Sequence, residues 1–373
     1  MNYHCIKSTL QTAGGSSWQQ MAEELFTSAA RNAGTVLRLI VFSAVTDNEE
    51  YKLRKRQLEE LADVYFQSPR PLISLIAQKP LTAELLLEIH SVTSEVIVTE
   101  LPISFGHYLR IEAEDYREVV GSALCADDLT LPTQCQSEIA FARMAEILAA
   151  EDMTFGDVIR QWNYLERITA CTSGRQCYQD FNDVRSAFYA SSFWETGYPA
   201  ATGIGMQWGG VQIDFNAVKG NVEITSLDND WQRAAHVYSD EVLISHPSQQ
   251  KETPKFERGK QLADGRHKMI YISGTAAILG ENSVETGIHS QTEITLKNIQ
   301  HLIGVEEGMD KLSLQSELLQ LLRVYLKNAE DALIVKAELD KYCPSVPVAY
   351  LLADVCRDEL LIEIEGIALK SSF

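Results

Sequence analysis

The sequence is poor in the residues that metal and redox centres draw on, with 7 cysteines and 8 histidines among 373 residues. Cys5, Cys125, Cys135, Cys171, Cys177, Cys343 and Cys356 are scattered, odd in number and never spaced as CxxC. That pattern argues against a disulfide framework and against a zinc site. The histidines form no HxH or HxxxH pair, so no metal is expected. No uncharged apolar run approaches the ~18 residues a membrane helix needs. The opening residues, Met1 to Leu10, lack the basic stretch and apolar core of a secretory leader, so a cytoplasmic location is expected. Basic residues are also scarce, 32 against 52 acidic, for a net charge of −20. Such a chain is not expected to bind nucleic acid, whose recognition rests on clustered Lys and Arg. Gly203-x-Gly205 is followed by neither a third glycine nor a helix, and there is no GxSxG turn. A dinucleotide site and a serine nucleophile elbow are therefore unsupported. No cofactor is expected.

Apolar residues are abundant at 45%, enough for sizeable cores, and the length suits two or three domains. The strongest internal signal is a repeat. Ile213-Asp214-Phe215-Asn216-Ala217-Val218 resembles Ile362-Glu363-Ile364-Glu365-Gly366-Ile367, with Pro199 and Pro347 at nearly constant distances before the acids. Gln136 and Gln291 each open a helical pattern. In the first half, strands are expected at Val36–Phe42, Leu72–Ala77, Glu95–Thr99, Tyr108–Glu112 and Asp157–Ile168, with helices at Asp47–Gln67, Ser137–Ala150 and Tyr178–Tyr189. In the second half, Met269–Gly274, Ala332–Ala337, Pro347–Val355 and Glu359–Leu369 read as strands, and Gln291–Leu302 and Leu312–Ala329 as helices. This order is α+β, two tandem domains each with a mixed sheet and helices on one face. A boundary near residue 226 divides an N-terminal domain, 1–226, expected to be scaffold, from a C-terminal domain, 227–373, expected to bear the site.

Ile272-Ser273-Gly274-Thr275, Gly287-Ile288-His289-Ser290-Gln291-Thr292 with Asn298, and the Ile362–Glu365 strand resemble the YjgF/RidA family, of chorismate mutase-like fold. The wider set resembles the chorismatase family, which carries two such domains in tandem. It comprises Arg160 with Trp162-Asn163-Tyr164, Phe181-Asn182 with Arg185, Pro199 to Gly205, Pro254 with Phe256 and Arg258, and Tyr350 to Gly366. The resemblance implies hydrolysis or elimination of chorismate with release of pyruvate, a homotrimer or a pseudo-hexameric trimer of tandem domains, and ligand clefts between subunits. The family's GHxSxHxGD loop is altered here, with Glu281 and Glu285 at the two histidine positions. Glu363 matches the family's catalytic glutamate in spacing. Cys356 lies where some chorismatases carry a cysteine that steers the product toward a hydroxybenzoate.

The residues themselves fit that chemistry. On a strand, Glu363 points away from Ile362 and Ile364, so a buried cleft on that face would hold a carboxylic acid of raised pKa, suited to protonating an enol ether carbon. A solvent-facing strand glutamate is the plain alternative, and Glu365 fits it equally well. Arg357 and Arg258 offer bidentate carboxylate clamps, although Arg357 has Asp354 and Asp358 as alternative partners. Ser273, Gly274 and Thr275 offer backbone N–H groups, a hydroxyl and close approach to a ligand. Trp162, Asn163, Tyr164 and Arg185 read as structure, and Asp214 as a scaffold counterpart of Glu363. The expected partner is a small-molecule carboxylate. A non-catalytic carboxylate-binding protein and an imine or enamine deaminase remain open alternatives on sequence.

Overall fold

The computed structural model describes residues 6–15, 17–93, 95–172, 174–239, 252–263, 267–304 and 319–371. The α+β expectation holds, and the repeat extends further than the sequence showed. The middle sheet runs in the order Ile97–Ile103, Gly106–Glu112, Tyr116–Cys125, Val211–Gly220, Val158–Glu166, Ala200–Met206. The last pair is parallel and the others antiparallel. The third sheet repeats this order with Glu223–Leu227, Gly259–Ala263, His267–Ala276, Ile362–Ser371, Leu319–Leu326 and Val348–Leu352, again with only the last of these pairs parallel. Residues 7–92 form a shorter copy lacking the outer hairpin, in the order Lys7–Ala13, Leu85–Val92, Thr35–Ser43, Leu72–Ile76. The stretch assigned to one N-terminal domain thus holds two sheets, and residue 226 falls inside the Glu223–Leu227 strand.

Each unit places two helices on the outer face of its sheet, as in Asn48–Tyr65, where the Asp47 carboxylate accepts from Glu50 N at 2.8 Å and caps the first turn. The repeated glutamines staple helix starts to acid-bearing strands. Gln136 accepts from Val211 N at 2.9 Å, and Gln291 from Leu361 N at 2.8 Å. Two expectations in the second half are exchanged. Leu319–Leu326 is a strand, where a helix over Leu312–Ala329 was expected, and the first seven residues of that span lie outside the described residues. The strand is buried on nearly all its positions, so it carries no period-2 signature to set against a helical one. Ala332–Tyr342 is a helix, where Ala332–Ala337 was expected to be a strand. Its β-branched opening gives way to Val335, Glu338, Leu339 and Tyr342 buried at helical spacing.

The inner faces of the three sheets meet in one core, containing Ile40 and Phe42 from the first unit, Trp162 and Tyr164 from the middle and Tyr325 from the third. The units close a ring through equivalent side chains. Arg38, Arg160 and Arg323 face His90, Asn216 and Glu365 on the neighbouring strand of their own sheets. Each then reaches into the next unit. Arg38 donates to Asn216 at 3.1 Å, Arg160 to Glu365, and Arg323 to Glu88 at 2.7 and 2.9 Å. Removing one partner of a buried, hydrogen-bonded pair costs about 3–5 kcal/mol, because the remaining charge keeps its burial penalty. Arg323→Ala, which strands Glu88, should lower unfolding stability by about that amount in urea titration. A loss below about 1 kcal/mol would mean that the ring is not a stabilising network.

Candidate active site

The ring places three equivalent acids, Glu88, Asp214 and Glu363, each two residues before the position that faces the arginine. Their surroundings differ. Glu88 is bound by Arg323 and sits 2.6 Å from His90 Nε2, and these partners outweigh burial to hold its carboxyl well below the usual range. Asp214 accepts from Ser74 Oγ at 2.7 Å and from Ala123 N at 2.7 Å. Glu363 is equally buried, at 5% exposure, yet no hydrogen bond reaches its carboxyl among the described residues. Burial, reinforced by the Glu365 charge and opposed by Arg258 and Arg160, pushes its pKa up to about 8. At neutral pH it is a carboxylic acid holding its proton.

Gly274 makes this position possible. A β-carbon there would lie 2.0 Å from Glu363 Oε1, so any side chain would displace the carboxyl. The Gly274 N–H donates to Thr202 Oγ1 at 3.1 Å, fixing the approach of the third unit's strand to the middle unit's.

Glu363 opens into a cleft whose walls come from the middle and third units of one chain. The cleft lies at the junction of two repeats. Arg258 is held by donation to Arg233 O at 2.7 Å and to the Tyr238 hydroxyl, and lies over the Phe256 ring at 5.5 Å. Arg357 donates to Glu281 O and Ser283 Oγ, each at 3.0 Å. Arg185, from the Cys177–Tyr189 helix, donates to Asn182 Oδ1 at 2.5 Å and lies over Phe181. The Nε groups of Arg185 and Arg258 are buried without an acceptor in the described chain. Such donors are free to bind an anionic ligand or an ordered water. Cys356 also lines the cleft. Burial, together with the Glu363 carboxyl, pushes its thiol up to about 12, so it is a neutral S–H rather than a thiolate.

Of the residues anticipated from sequence, Glu363, Cys356, Arg357, Arg258 and Gly274 share this cleft. Ser273 and Thr275 flank it with their hydroxyls bonded to backbone, Ser273 Oγ to Glu257 O at 2.6 Å and Thr275 Oγ1 to Ser273 O at 2.9 Å. Sequence reasoning gave Arg185 to the scaffold and passed over Tyr178 and Tyr238, all of which line the cleft. The signal for the first two was available. Tyr178, Phe181, Asn182 and Arg185 recur at i, i+3, i+4 and i+7, one helix face with an arginine at its end.

Comparison with known proteins agrees with this geometry. Residues 95–217, the middle unit, match the family described as "Chorismatase FkbO/Hyg5-like, N-terminal". A 3-hydroxybenzoate synthase from Streptomyces hygroscopicus is 29% identical over 62% of this chain and 68% of its own length. A chorismatase from the same organism is 32% identical over 56% of this chain and 60% of its own length. A crystal structure of a chorismatase superposes over 99% of both chains with a TM-score of 0.71 at 20% identity, so the fold is shared throughout. In sequence and in fold this chain is similar to chorismatases.

The state of Glu363 has a thermodynamic signature. Below an unfolded carboxyl pKa near 4.5, folded and unfolded chains both hold the proton and no penalty arises. As pH rises toward 8, the unfolded chain ionises and the folded one does not, so stability is lost progressively through that window. Glu363→Gln removes the titration. The variant should gain stability over the parent between pH 5 and 8, by about 3–5 kcal/mol at most. Parallel urea curves at pH 5, 6.5 and 8 test this, and a gap independent of pH would show that Glu363 is ionised in the fold.

Proposed function

We propose that this protein releases pyruvate from chorismate or a closely related enolpyruvyl carboxylate, leaving a hydroxybenzoate or a dihydroxycyclohexadiene carboxylate. The observation that carries the reading is the protonated, unpartnered Glu363 in a cleft with three guanidinium groups. The curated relatives, named for chorismatase and 3-hydroxybenzoate synthase activity, support it. Chorismate carries two carboxylates and an enol ether. Arg357 and Arg258 hold carboxylates through parallel N–H···O bonds, with Arg185 as a third donor. Glu363 transfers its proton to the terminal methylene carbon of the enol ether, which generates an oxocarbenium ion. Addition of water at the neighbouring, oxygen-bearing carbon and collapse of the hemiketal give pyruvate and a dihydroxy acid. If the ring instead loses its hydroxyl as water, a hydroxybenzoate results and no net water is consumed.

Cys356 sits beside Glu363 as a neutral thiol, and we assign it the choice between these outcomes. The chemistry needs neither an electron carrier nor a metal, and the substrate is a small carboxylate. The described walls of the cleft come from two repeats of the chain.

Incubating the purified protein with chorismate, while following pyruvate and identifying the ring product, tests the reading. Turnover should fall as pH rises through about 8, where Glu363 loses its proton. Glu363→Gln should retain ligand binding and lose about 10²–10⁴-fold in kcat. Cys356→Ala should shift any hydroxybenzoate toward the dihydroxy acid. Ligand binding without pyruvate would leave a binding protein, and full turnover in Glu363→Gln would remove Glu363 as the acid.

A further inference from the structure

Two of the cleft arginines are tied together by one tyrosine, Tyr238. Tyr238 accepts from Arg258 through its hydroxyl, and its ring lies 5.6 Å from the Arg258 guanidinium and 5.4 Å from that of Arg357. A ring between two cations is attractive to both and sets their separation. Tyr238 is carried by a strap, residues 229–239, that has no sheet partner beyond the isolated bridge of Gln232 to Gly280.

The strap is held at several places, including Arg258 to Arg233 O at 2.7 Å and Gln232 Nε2 to Ile278 O at 3.3 Å, and a carboxylate holds its end nearest Tyr238. Glu281 accepts from Ser239 N at 2.9 Å, from Ser239 Oγ at 2.6 Å and from Arg233 Nη1 at 2.9 Å. Backbone bonds on either side, Arg233 N to Gly280 O at 2.8 Å and Gly280 N to Trp231 O at 2.7 Å, bring the strap to that carboxylate. The backbone carbonyl of Glu281 is also what Arg357 donates to, at 3.0 Å. One residue therefore fastens Tyr238 through its side chain and Arg357 through its main chain.

We propose that Glu281 is a positioning residue: by clamping the Tyr238 strap it fixes the spacing of Arg258 and Arg357, and so the fit of a dicarboxylate ligand. The inference rests on the functional reading above for the identity of that ligand. The clamp itself is independent of it. Charge-assisted bonds from a backbone N–H, a hydroxyl and a guanidinium make a carboxylate the fitting group at 281. Glu281 does not line the cleft and touches no reacting atom, so its loss acts on binding more than on the chemical step.

The test compares Glu281→Ala and Glu281→Gln with the parent by steady-state kinetics on chorismate and by amide hydrogen exchange over residues 229–239. Glu281→Ala should raise KM about tenfold while kcat changes less than about threefold. Glu281→Gln, which keeps an acceptor oxygen, should recover part of that loss. Exchange over the strap should quicken in Glu281→Ala. An unchanged KM together with unchanged strap exchange would overturn the proposal, as would a fall in kcat equal to that in kcat/KM. If the parent itself shows no turnover, the functional reading has failed. Exchange then decides the clamp, and unchanged strap exchange in Glu281→Ala overturns it. Should Glu281→Ala fail to fold, Arg233→Ala removes one of the three bonds from the strap side and should raise KM and strap exchange in the same direction by a smaller amount, no change in either overturning the proposal.

Discussion

Three arginines buried around one tryptophan set the terms for the rest of this molecule. Arg38, Arg160 and Arg323 lie 5.2, 4.5 and 5.4 Å from the Trp162 ring, one from each unit. Withdrawing three guanidinium groups from water is costly, and burial lowers the pKa of Arg38. The cost is offset only if each cation meets carboxylates and carbonyls in good geometry, and those partners lie largely on the next unit. Two carboxylates carry most of the compensation. Glu88 serves Arg323, and Glu365 serves Arg160, Arg323 at 3.0 Å and the Tyr325 hydroxyl at 2.6 Å. The units cannot separate without exposing or stranding these charges, so the ring is one cooperative body.

The same network reaches the chemistry. Glu365 is held between Arg160, Arg323, Tyr325 and Thr202, two residues along the strand from Glu363. Side chains at i and i+2 share a face, so the fixed charge of Glu365 bears on the Glu363 carboxyl. It is the largest influence after burial in raising that pKa. Thr202 also bonds Arg160 at 2.9 Å and receives the Gly274 N–H, which keeps the bare glycine Cα against the Glu363 carboxyl. The groups that hold the units together thus also determine where the acid sits and in which protonation state.

The three acids show how one plan diverges. At the equivalent position Glu88 became an ion-pair partner and Asp214 a hydrogen-bond acceptor, whereas the Glu363 carboxyl has no hydrogen-bond partner among the described residues. That contrast was partly legible. The Asp214 and Glu363 strands were visible as a pair because both retain the alternation of acid with apolar residues, and their stapling glutamines stood at matching helix starts. The first unit escaped notice because it lacks the outer hairpin and its acid lies in Leu85-Leu86-Leu87-Glu88-Ile89-His90, a run buried on both faces with no alternation to mark it. Leu319–Leu326 was misread for the same reason. Arg185 and Tyr238 show a different limit. Each earns its place through long-range contacts, Tyr238 by a bond to Arg258 twenty residues on and Arg185 by facing strands of another unit, and local spacing does not encode such partners.

The placement of the site follows from these constraints. A carboxylic acid is useful as a proton donor at neutral pH only where water and cations are both kept from it, yet its substrate is an anion that needs cations nearby. A single sheet face does not separate the two requirements well, since an arginine close enough to clamp a carboxylate tends to ionise the acid. Here the conflict is resolved by holding each guanidinium on its own tether. Arg258 is drawn to Tyr238 and Arg233 O, Arg357 to Glu281 O, and Arg185 to Asn182, so none hydrogen-bonds Glu363. Arg258 still lowers the pKa of Glu363, but less than burial and Glu365 raise it. The third unit supplies the acid with Arg258 and Arg357, and the middle unit faces them with Arg185, which explains why the cleft lies at a junction between repeats and why the other two junctions, at Glu88 and Asp214, were free to become structure.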